Sequence, residues 1–284
     1  MTSYKTITPG EVSVPDLHHT LLGSVGPRPI CFASTVDANG IRNLAPFSFF
    51  NVFSANPPIL VFSPARSGRT GDTKNTYDNV KEVPEVVINI VDYNMVHQMS
   101  LASSPFKAGV DEFKKSGLTA IDSEMVKPAR VKESPVQIEC KVNEVVELGD
   151  KGGAGNLVIA EALKIHVRAD LMNEQGRIDQ HKIDLVARMG GNWYCRADEN
   201  SMFEIKKPIS TLGIGVDQLP KHIIQEGTLS GNQLGMLGSA EREPSIEELK
   251  ETSDLGLAYQ ERLRMAIFSL DQDIQQSLAL IWEA

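Results

Sequence analysis

Short apolar and β-branched runs, separated by turn residues, fill the chain from residue 28 to residue 168 and constrain its fold more than any other feature. Runs of this length, bounded by Gly, Pro, Asn and Asp, are typical of β-strands. Several such runs with few helices between them predict a closed antiparallel β-barrel. The predicted strands are residues 28–36, 59–62, 85–91, 135–148 and 156–168.

Two connections between these strands carry clear turn signals. Residues 37–40 read Asp-Ala-Asn-Gly, in which Asn and Gly tolerate the positive φ angles of a hairpin loop. The Gly-rich residues 152–155 have the composition of a phosphate-binding loop. Such a loop opens a helix, however, whereas a strand-like run follows here, so a hairpin connection is favoured.

Helical patterns interrupt the strands and then replace them. Residues 73–81 predict a helix capped by Asp72 or Thr73, and residues 94–102 predict a second helix. Beyond Trp193 the predicted helices are residues 217–225, 231–237, 245–251 and 257–281, and Ser245 to Glu248 has the pattern of a capping box. We therefore expect a barrel domain over 1–204 and a helical C-terminal extension over 205–284, packed on the barrel. A separate domain is disfavoured because the segment has little room for its own core.

Charge and composition exclude several classes of protein. The formal net charge is −9, whereas a general nucleic-acid binder needs a surface rich in Lys and Arg. The longest apolar stretches are too short to cross a bilayer, and the polar N-terminus does not resemble a secretory signal. Cys31, Cys140 and Cys195 are odd in number and widely spaced, which disfavours disulfides or a zinc site. We expect a cytoplasmic protein without a bound metal.

The loop before the first barrel helix has the composition of an anion site. Residues 66–74 contain Arg66, two glycines, hydroxyl groups and Lys74, and a helix is predicted to follow. Glycine lets backbone amides approach a ligand, and the N-terminus of the helix favours negative charge. Lys74 and Thr76 would then lie in the first helical turn. A solvated loop before a capped helix explains the same residues equally well.

An aromatic segment covers residues 46–53. If it is extended, Ser48, Phe50 and Val52 share one face, and Phe47, Phe49, Asn51 and Phe53 share the other. One face would be core, and the other would offer a hydroxyl and aromatic rings to a ligand. A Phe-rich segment is by itself more often core than a ligand wall.

Several motifs follow one another in a specific order over residues 20–197. They are RPICFAST, NLAPFSFFN, the NPP turn, Lys74-x-Thr76-x-x-Asn79, VVINIV, SPVQIECKV and Arg188-Met-Gly-Gly-x-x-Tyr194. Each is weak alone, but together they resemble the flavin reductase-like, FMN-binding split-barrel family. That family includes flavoredoxin and the reductase components of two-component monooxygenases.

The resemblance implies a mainly β fold, an antiparallel Greek-key split β-barrel with peripheral helices, and FMN as its cofactor. Ser48, Lys74 and Thr76 would hold the phosphate, with Arg66 from the preceding loop. Residues expected near the ribityl chain or the ring are Asn43, Ala45, Pro46 and Asn51, and the aromatic candidates for the ring are Phe47 and Phe50. The chain departs from the common Lys-Asp-Thr form at Asn75, which leaves the detail of the helix start open.

The resemblance also bears on catalysis and assembly. His166 becomes a candidate catalytic residue that faces the nicotinamide or the substrate as a donor or proton relay. A histidine on a strand is, however, more often structural. Arg188 would either help to neutralise a bound anion or form a surface ion pair. Members of the family are typically homodimers with FMN at or near the interface, so we expect a homodimer.

The implied function is that of an FMN-dependent oxidoreductase. It would accept hydride from NAD(P)H and pass electrons to free flavin, to a monooxygenase or other redox partner, or to a small acceptor. The alternative is a non-catalytic, flavoredoxin-like electron-transfer protein without a nicotinamide site. A barrel that holds haem or no ligand is disfavoured by Ser48, Lys74 and Thr76. The polar segment over 227–235 is either an interhelical connection, which is favoured, or a cover over the flavin.

Overall fold

The computed structural model describes residues 2–205, 207–208 and 210–283, and the chain forms two compact units. Met1–Phe203 is the barrel unit and Glu204–Ala284 is the C-terminal unit. The strands are β1 (Cys31–Val36), β2 (Arg42–Phe47), β3 (Phe50–Ala55), β4 (Pro58–Phe62), β5 (Glu85–Ile90), β6 (Ala120–Ile121), β7 (Arg130–Val131), β8 (Val136–Glu147), β9 (Asn156–Val167), β10 (Val186–Arg188) and β11 (Tyr194–Arg196). The helices are α1 (Val14–Ser24), α2 (Asn75–Glu82), α3 (Val96–Ala102), α4 (Glu112–Ser116), α5 (Lys221–Gln225), α6 (Gly231–Gly238), α7 (Ile246–Asp254), α8 (Tyr259–Ser269) and α9 (Ile274–Ile281).

The main sheet is antiparallel and has the strand order β2-β1-β5-β8-β9-β4-β3. Strands β2 and β3 lie at its opposite edges, yet only Ser48 and Phe49 separate them in the chain. The sheet must therefore curl until its two edges meet, and these edges are not paired with each other. The predicted mainly β, antiparallel split barrel with peripheral helices is confirmed.

Strand β1 is buried on both faces, which explains why its sequence does not alternate between apolar and polar residues. Cys31 and Ala33 face the core inside the barrel, together with Phe62 and Ile88. Phe32 faces a second core, which lies between the sheet and the segment that carries α3 and α4. A strand covered on both sides reads as a continuous apolar run.

The predicted strands are present with ends that differ by at most three residues, and both hairpins are confirmed. The predicted alternation along residues 46–53 is wrong. The chain bends at Ser48–Phe49, which interrupts the alternation of faces along an extended strand. Phe47 and Phe50 therefore both pack against the core inside the barrel. Helix α1 was not predicted, although Ser13 caps it and Pro15 lies in its first turn.

The first predicted barrel helix begins later than expected. Neither Asp72 nor Thr73 caps α2; Lys74 occupies the N-cap position, and no side chain caps the helix. The Thr73 hydroxyl donates instead to the carboxylate of Asp78 over 2.9 Å.

The C-terminal unit has a hydrophobic core of its own, which includes Leu219, Ile223, Leu237, Leu263 and Leu278. The expectation that this segment has too little room for a core is therefore wrong. The single helix predicted over 257–281 is also wrong, because the chain turns between α8 and α9 and Asp273 caps α9. The predicted capping box at Ser245 is present. Packing of this unit on the barrel stays a prediction.

Along the described part of the chain, every helix is too short or too polar to cross a membrane.

Candidate functional site

Four polar side chains form a buried hydrogen-bonded network between the start of α2 and the β1–β2 hairpin. Thr76 is 1% exposed, and its hydroxyl oxygen accepts a hydrogen bond from Nδ2 of Asn43 over 3.0 Å. The same nitrogen lies 3.3 Å from the Thr35 hydroxyl, which also accepts a bond of 3.0 Å from Nδ2 of Asn79. Buried polar groups are costly without partners, so the network holds the first turn of α2 against β2.

The N-terminus of α2 is open to an anionic ligand. The amides of Asn75 and Thr76 have no protein acceptor among the described residues, because Lys74 at the N-cap position supplies none from its side chain. The Lys74 side chain is itself exposed. Free amides, the helix dipole and a nearby ammonium group together favour an oxyanion at this end of α2.

Arg66, from the loop that leads into α2, also has unused donor capacity. Its side chain is 18% exposed, and its Nη2 lies 3.9 Å from the carboxylate of Glu147. Its Nη1 donates to the Gly71 carbonyl over 3.5 Å, whereas its buried Nε has no acceptor. Such orphaned donors are rare in folded proteins, and this one has no partner among the described residues.

The corner between β2 and β3 is apolar on the side that faces the barrel core. Phe47 and Phe50 are half-buried there, and the ring of Phe47 lies 5.6 Å from that of Phe62. Beside this corner opens a groove of about 320 Å³, here called the corner groove. Its walls include Pro46, Phe47, Ser48, Ser100, Ser103, Arg188, Asn192 and Tyr194.

Ser48 is held by a buried arginine. Nε of Arg28 donates to its hydroxyl oxygen over 3.4 Å, and Arg28 is only 6% exposed. The remaining side-chain bonds of Arg28 go to the carbonyls of Leu22, Val25 and Met189 over 2.5–2.9 Å. Burial, followed by the charge of Arg188, lowers the pKa of Arg28.

The predicted site residues thus divide between the two ends of β2. Asn43 lies with Thr76 at one end, and Phe47 and Ser48 lie at the other. Asn43 and Phe47 are four residues apart on one strand, a separation of about 13 Å at the usual rise per residue. The structure therefore does not bring Ser48 beside Thr76. Ala45 lies between the two ends, opposite Ala33.

Asn51 and His166 lie apart from these groups. Asn51 is exposed on β3, where its side-chain oxygen accepts from the amide of Val52 over 2.8 Å. Nε2 of His166 lies 2.8 Å from the buried carboxylate of Glu139, and its Nδ1 lies 3.8 Å from that of Glu124. None of these carboxylates lines the corner groove. The catalytic role of His166 stays a prediction.

Glu139 has a clear structural role in that cluster. Burial raises its pKa, but bonds from the amides of Glu124 and Met125 and from His166 outweigh this effect and hold the pKa below its usual value. The Glu139 carboxylate therefore holds the loop that contains Glu124 and Met125 against β8 and β9.

Sequence reasoning missed Arg28, and it considered Arg188 only as a general anion partner. An antiparallel bridge pairs these two residues, which are 160 positions apart in the chain. The motif RPI shows that an arginine precedes a strand. It carries no signal for the distant partner, because only the closed barrel creates the pair.

Comparison with known proteins gives consistent matches for the barrel unit. Residues 24–182 match a family model described as flavin reductase like domain. An uncharacterized protein from Aquifex aeolicus is 38% identical over 182 residues, which cover 64% of this chain and 90% of that protein.

Solved structures match over a similar range. Nitrilotriacetate monooxygenase component B from Bacillus cereus is 30% identical, with a TM-score of 0.67 over 72% of this chain and 100% of that chain. The 2-nitrobenzoate 2-nitroreductase NbaA from Pseudomonas fluorescens is 25% identical, with a TM-score of 0.62 over 74% of this chain and 100% of that chain.

Proposed function

Because this chain belongs to the flavin reductase-like domain family, we propose that it is an FMN-dependent oxidoreductase. Bound FMN would accept hydride from NAD(P)H and pass electrons to free flavin, to a redox partner such as a monooxygenase, or to a small acceptor. One observation carries the proposal: β2 has oxyanion donors at one end and an apolar corner at the other. FMN has a matching arrangement, with a phosphate at one end of the molecule and a flat ring at the other.

The donors near α2 fit a phosphate. Lys74 would bind it together with the free amides of Asn75 and Thr76, and the orphaned Nε of Arg66 supplies a further donor in the same loop region. Charge-assisted hydrogen bonds of this kind are the strong ones. The Thr76 hydroxyl would act mainly by holding the helix start to Asn43, because it is almost completely buried.

The apolar corner fits a ring system. Pro46 and Phe47 would contact the isoalloxazine, and Phe50 would support Phe47 from the same side of the corner. Ala45 and Asn43 lie along the intervening strand, where a ribityl chain would run. Asn51 is exposed on the edge strand β3, so we propose that it reaches FMN only across a homodimer interface.

Two further observations support this assignment. The names of the monooxygenase component and of the nitroreductase describe redox proteins, and the chain covers all of both matched structures. The three cysteines are unpaired thiols, which suits a reducing cytoplasm.

The experiment is an anaerobic absorption spectrum of the full-length protein, loaded with FMN if it purifies colourless. We expect a flavin spectrum that bleaches when NADH or NADPH is added, faster than free FMN at the same concentration. A bound flavin that stays oxidised would support the electron-carrier alternative instead. A protein that cannot bind FMN would contradict the flavin assignment itself.

A further inference from the structure

Arg28 and Arg188 lie directly opposite each other in an antiparallel backbone bridge, and both side chains are positively charged. The Arg28 amide donates to the Arg188 carbonyl over 2.9 Å, and the Arg188 amide donates to the Arg28 carbonyl over 2.8 Å. Residues paired in this way carry their side chains on the same face, about 5.5 Å apart at the Cα atoms. Like charges in that position are destabilising unless something of opposite charge compensates them.

The protein itself provides no such compensation in the part of the chain that the structure describes. Five other arginines form ion pairs with a carboxylate: Arg66, Arg130, Arg168, Arg196 and Arg242. Arg28 and Arg188 form none there, and their hydrogen-bond acceptors are carbonyl oxygens and the Ser48 hydroxyl. Burying a cation without a counter-charge is costly, even when neutral acceptors surround it.

Arg188 is turned toward the corner groove, whereas Arg28 reaches it only through its bond to Ser48. Arg188 lines it, stacks on the Tyr194 ring at 4.6 Å and uses one N–H in a bond to the Gly191 carbonyl. Its other N–H groups have no acceptor among the described residues. The Ser48 hydroxyl accepts from Arg28, so its own proton is free to donate into the groove. Ser100 and Ser103 line the same groove, and the Ser103 hydroxyl donates to the Ser100 carbonyl over 2.6 Å.

We infer that Arg188 and Ser48, backed by the buried charge of Arg28, form an oxyanion-binding site for a phosphate or carboxylate group of a ligand other than FMN. The proposed donors for the FMN phosphate are at the other end of β2, about 13 Å along that strand. The site rests on the arginine pair, on Ser48 and on the corner groove, without the proposed function. That its ligand is the electron donor or acceptor rests on the proposed function.

Space for the rest of such a ligand continues beyond the corner groove, away from the Pro46 and Phe47 wall that would contact the isoalloxazine. A second cavity of about 310 Å³ shares Ser100, Asn192 and Tyr194 with it and continues along α3 to Tyr93 and His97. Together the two cavities have the size expected for a site that holds a small organic molecule. The oxyanion could thus be the pyrophosphate of a nicotinamide dinucleotide or the carboxylate of an aromatic acid.

The test uses the full-length protein and two probes, inorganic pyrophosphate and benzoate, in calorimetric titrations with thermal unfolding as a second readout. We expect saturable binding of at least one probe and a higher midpoint of unfolding in its presence. Binding of pyrophosphate would show that the site accepts a phosphate group, and binding of benzoate alone would show that it accepts a carboxylate group. If neither probe binds the wild-type protein, the inference is wrong.

Substitutions of Arg188 test whether the probe binds at this residue. In Arg188→Gln we expect affinity for the active probe to fall about tenfold or more, because a charge-assisted bidentate contact is lost. Arg188→Lys should recover only part of it, since an ammonium group cannot form the planar fork. The matched control is Arg168→Gln, which removes the same charge from an exposed arginine paired with Asp170. Equal losses in the variant and the control would mean general charge attraction and would overturn the site.

One further measurement separates this inference from the proposed function. FMN affinity should fall much less than probe affinity in Arg188→Gln, because the proposed donors for the FMN phosphate lie at the other end of β2. A protein that binds pyrophosphate or benzoate through Arg188 but does not bind FMN would retain the oxyanion site while the flavin assignment failed. A parallel loss of FMN and probe binding would show one shared site and overturn the inference.

Discussion

Among single side chains, Lys74 supplies a positive charge at the start of α2, where the proposed phosphate site lies. We expect Lys74→Ala to weaken FMN binding about tenfold or more, because one charge-assisted hydrogen bond to a phosphate is worth about 1.5–3 kcal/mol. Binding of riboflavin, which lacks the phosphate, should change little. Fluorescence titration with both flavins measures the two affinities.

A second lysine provides the control for that experiment. Lys141 is exposed on β8, outside the first turn of α2, so Lys141→Ala should leave both affinities unchanged. Equal losses for FMN and riboflavin in Lys74→Ala would place the effect on the fold or on the ring instead.

Thr76 differs from Lys74 because its hydroxyl is bonded inside the protein. Thr76→Val keeps the volume but removes the acceptor of the 3.0 Å bond from Asn43, and we expect it to cost about 1–3 kcal/mol of unfolding free energy. Urea unfolding measures the loss. Thr73→Val, which removes a more exposed hydroxyl bonded to Asp78, should cost much less. Equal costs would contradict the importance of the buried network.

These residues also show how far sequence reasoning reaches. Lys74 and Thr76 were identified because a glycine-containing loop before a helix is a local pattern, and local patterns are visible in the chain. The prediction that Ser48 joins them depends on how β2 lies in the barrel, and the structure places Ser48 with Arg28 instead. Partners 160 positions apart, such as Arg28 and Arg188, are set by strand pairing alone.

At the scale of elements, the two edges of the open sheet differ. The β2 edge is covered, because the buried carboxylate of Glu112 on α4 accepts from the Leu44 amide over 3.0 Å. The β3 edge exposes Val52 and Phe53, at 62% and 68%. Exposed apolar edge strands invite pairing with another chain, so we predict that the proposed homodimer uses β3.

A single charge on that edge tests the prediction. Phe53→Lys should shift the protein from dimer to monomer in sedimentation velocity, since a buried unpaired charge at the interface is strongly unfavourable. Phe268→Lys alters an equally apolar side chain, 83% exposed in the C-terminal unit, and should leave the dimer intact. A Phe53→Lys protein that stays dimeric would exclude β3 as the interface.

The start of α7 gives a pH-dependent prediction. The side chain of Arg242 and the amide of Ser245 lower the pKa of Glu248 from 4.5 to about 2. A lowered pKa means that the carboxylate stabilises the folded state above the usual pKa and that this contribution is lost as pH falls toward 2.

We expect Glu248→Gln to cost about 1 kcal/mol at pH 7, because the Arg242 side chain is half-exposed and solvent weakens the pair. The difference from wild type should shrink steadily below pH 4.5. Thermal unfolding followed by circular dichroism at several pH values measures it. Glu247→Gln, in the same first turn, is the control, and an equal effect there would assign the change to the helix dipole rather than to the pair.

Elements with their own local signals were predictable, and those set by tertiary contacts were not. The capping box at Ser245 is a four-residue pattern, and the structure contains it. The break between α8 and α9 is not visible as periodicity, because both helices contribute apolar residues to one core. The turn at Ser48–Phe49 likewise arises because the sheet must close, not because of a strong turn signal.

At the scale of the whole molecule, each unit is built around its own core. Among the described residues, those in the two cores of the barrel unit lie between Ile30 and Tyr194, and those in the core of the C-terminal unit lie from Ile214 onward. We therefore predict that a protein ending at Phe203 folds, unfolds cooperatively and binds FMN as the full chain does. Differential scanning calorimetry and flavin titration measure these properties.

The same truncation decides between the two interpretations of residues 227–235. The segment is not one loop, because Gly231 begins α6 and Ser230 caps it with Gln233. That geometry favours an ordinary connection, so we expect the truncated and full-length proteins to oxidise NAD(P)H at rates within about twofold, well under 1 kcal/mol in barrier height. A folded, dimeric truncation with markedly faster turnover would show that the C-terminal unit restricts access to the flavin. A truncation that fails to fold would contradict the independence of the two cores.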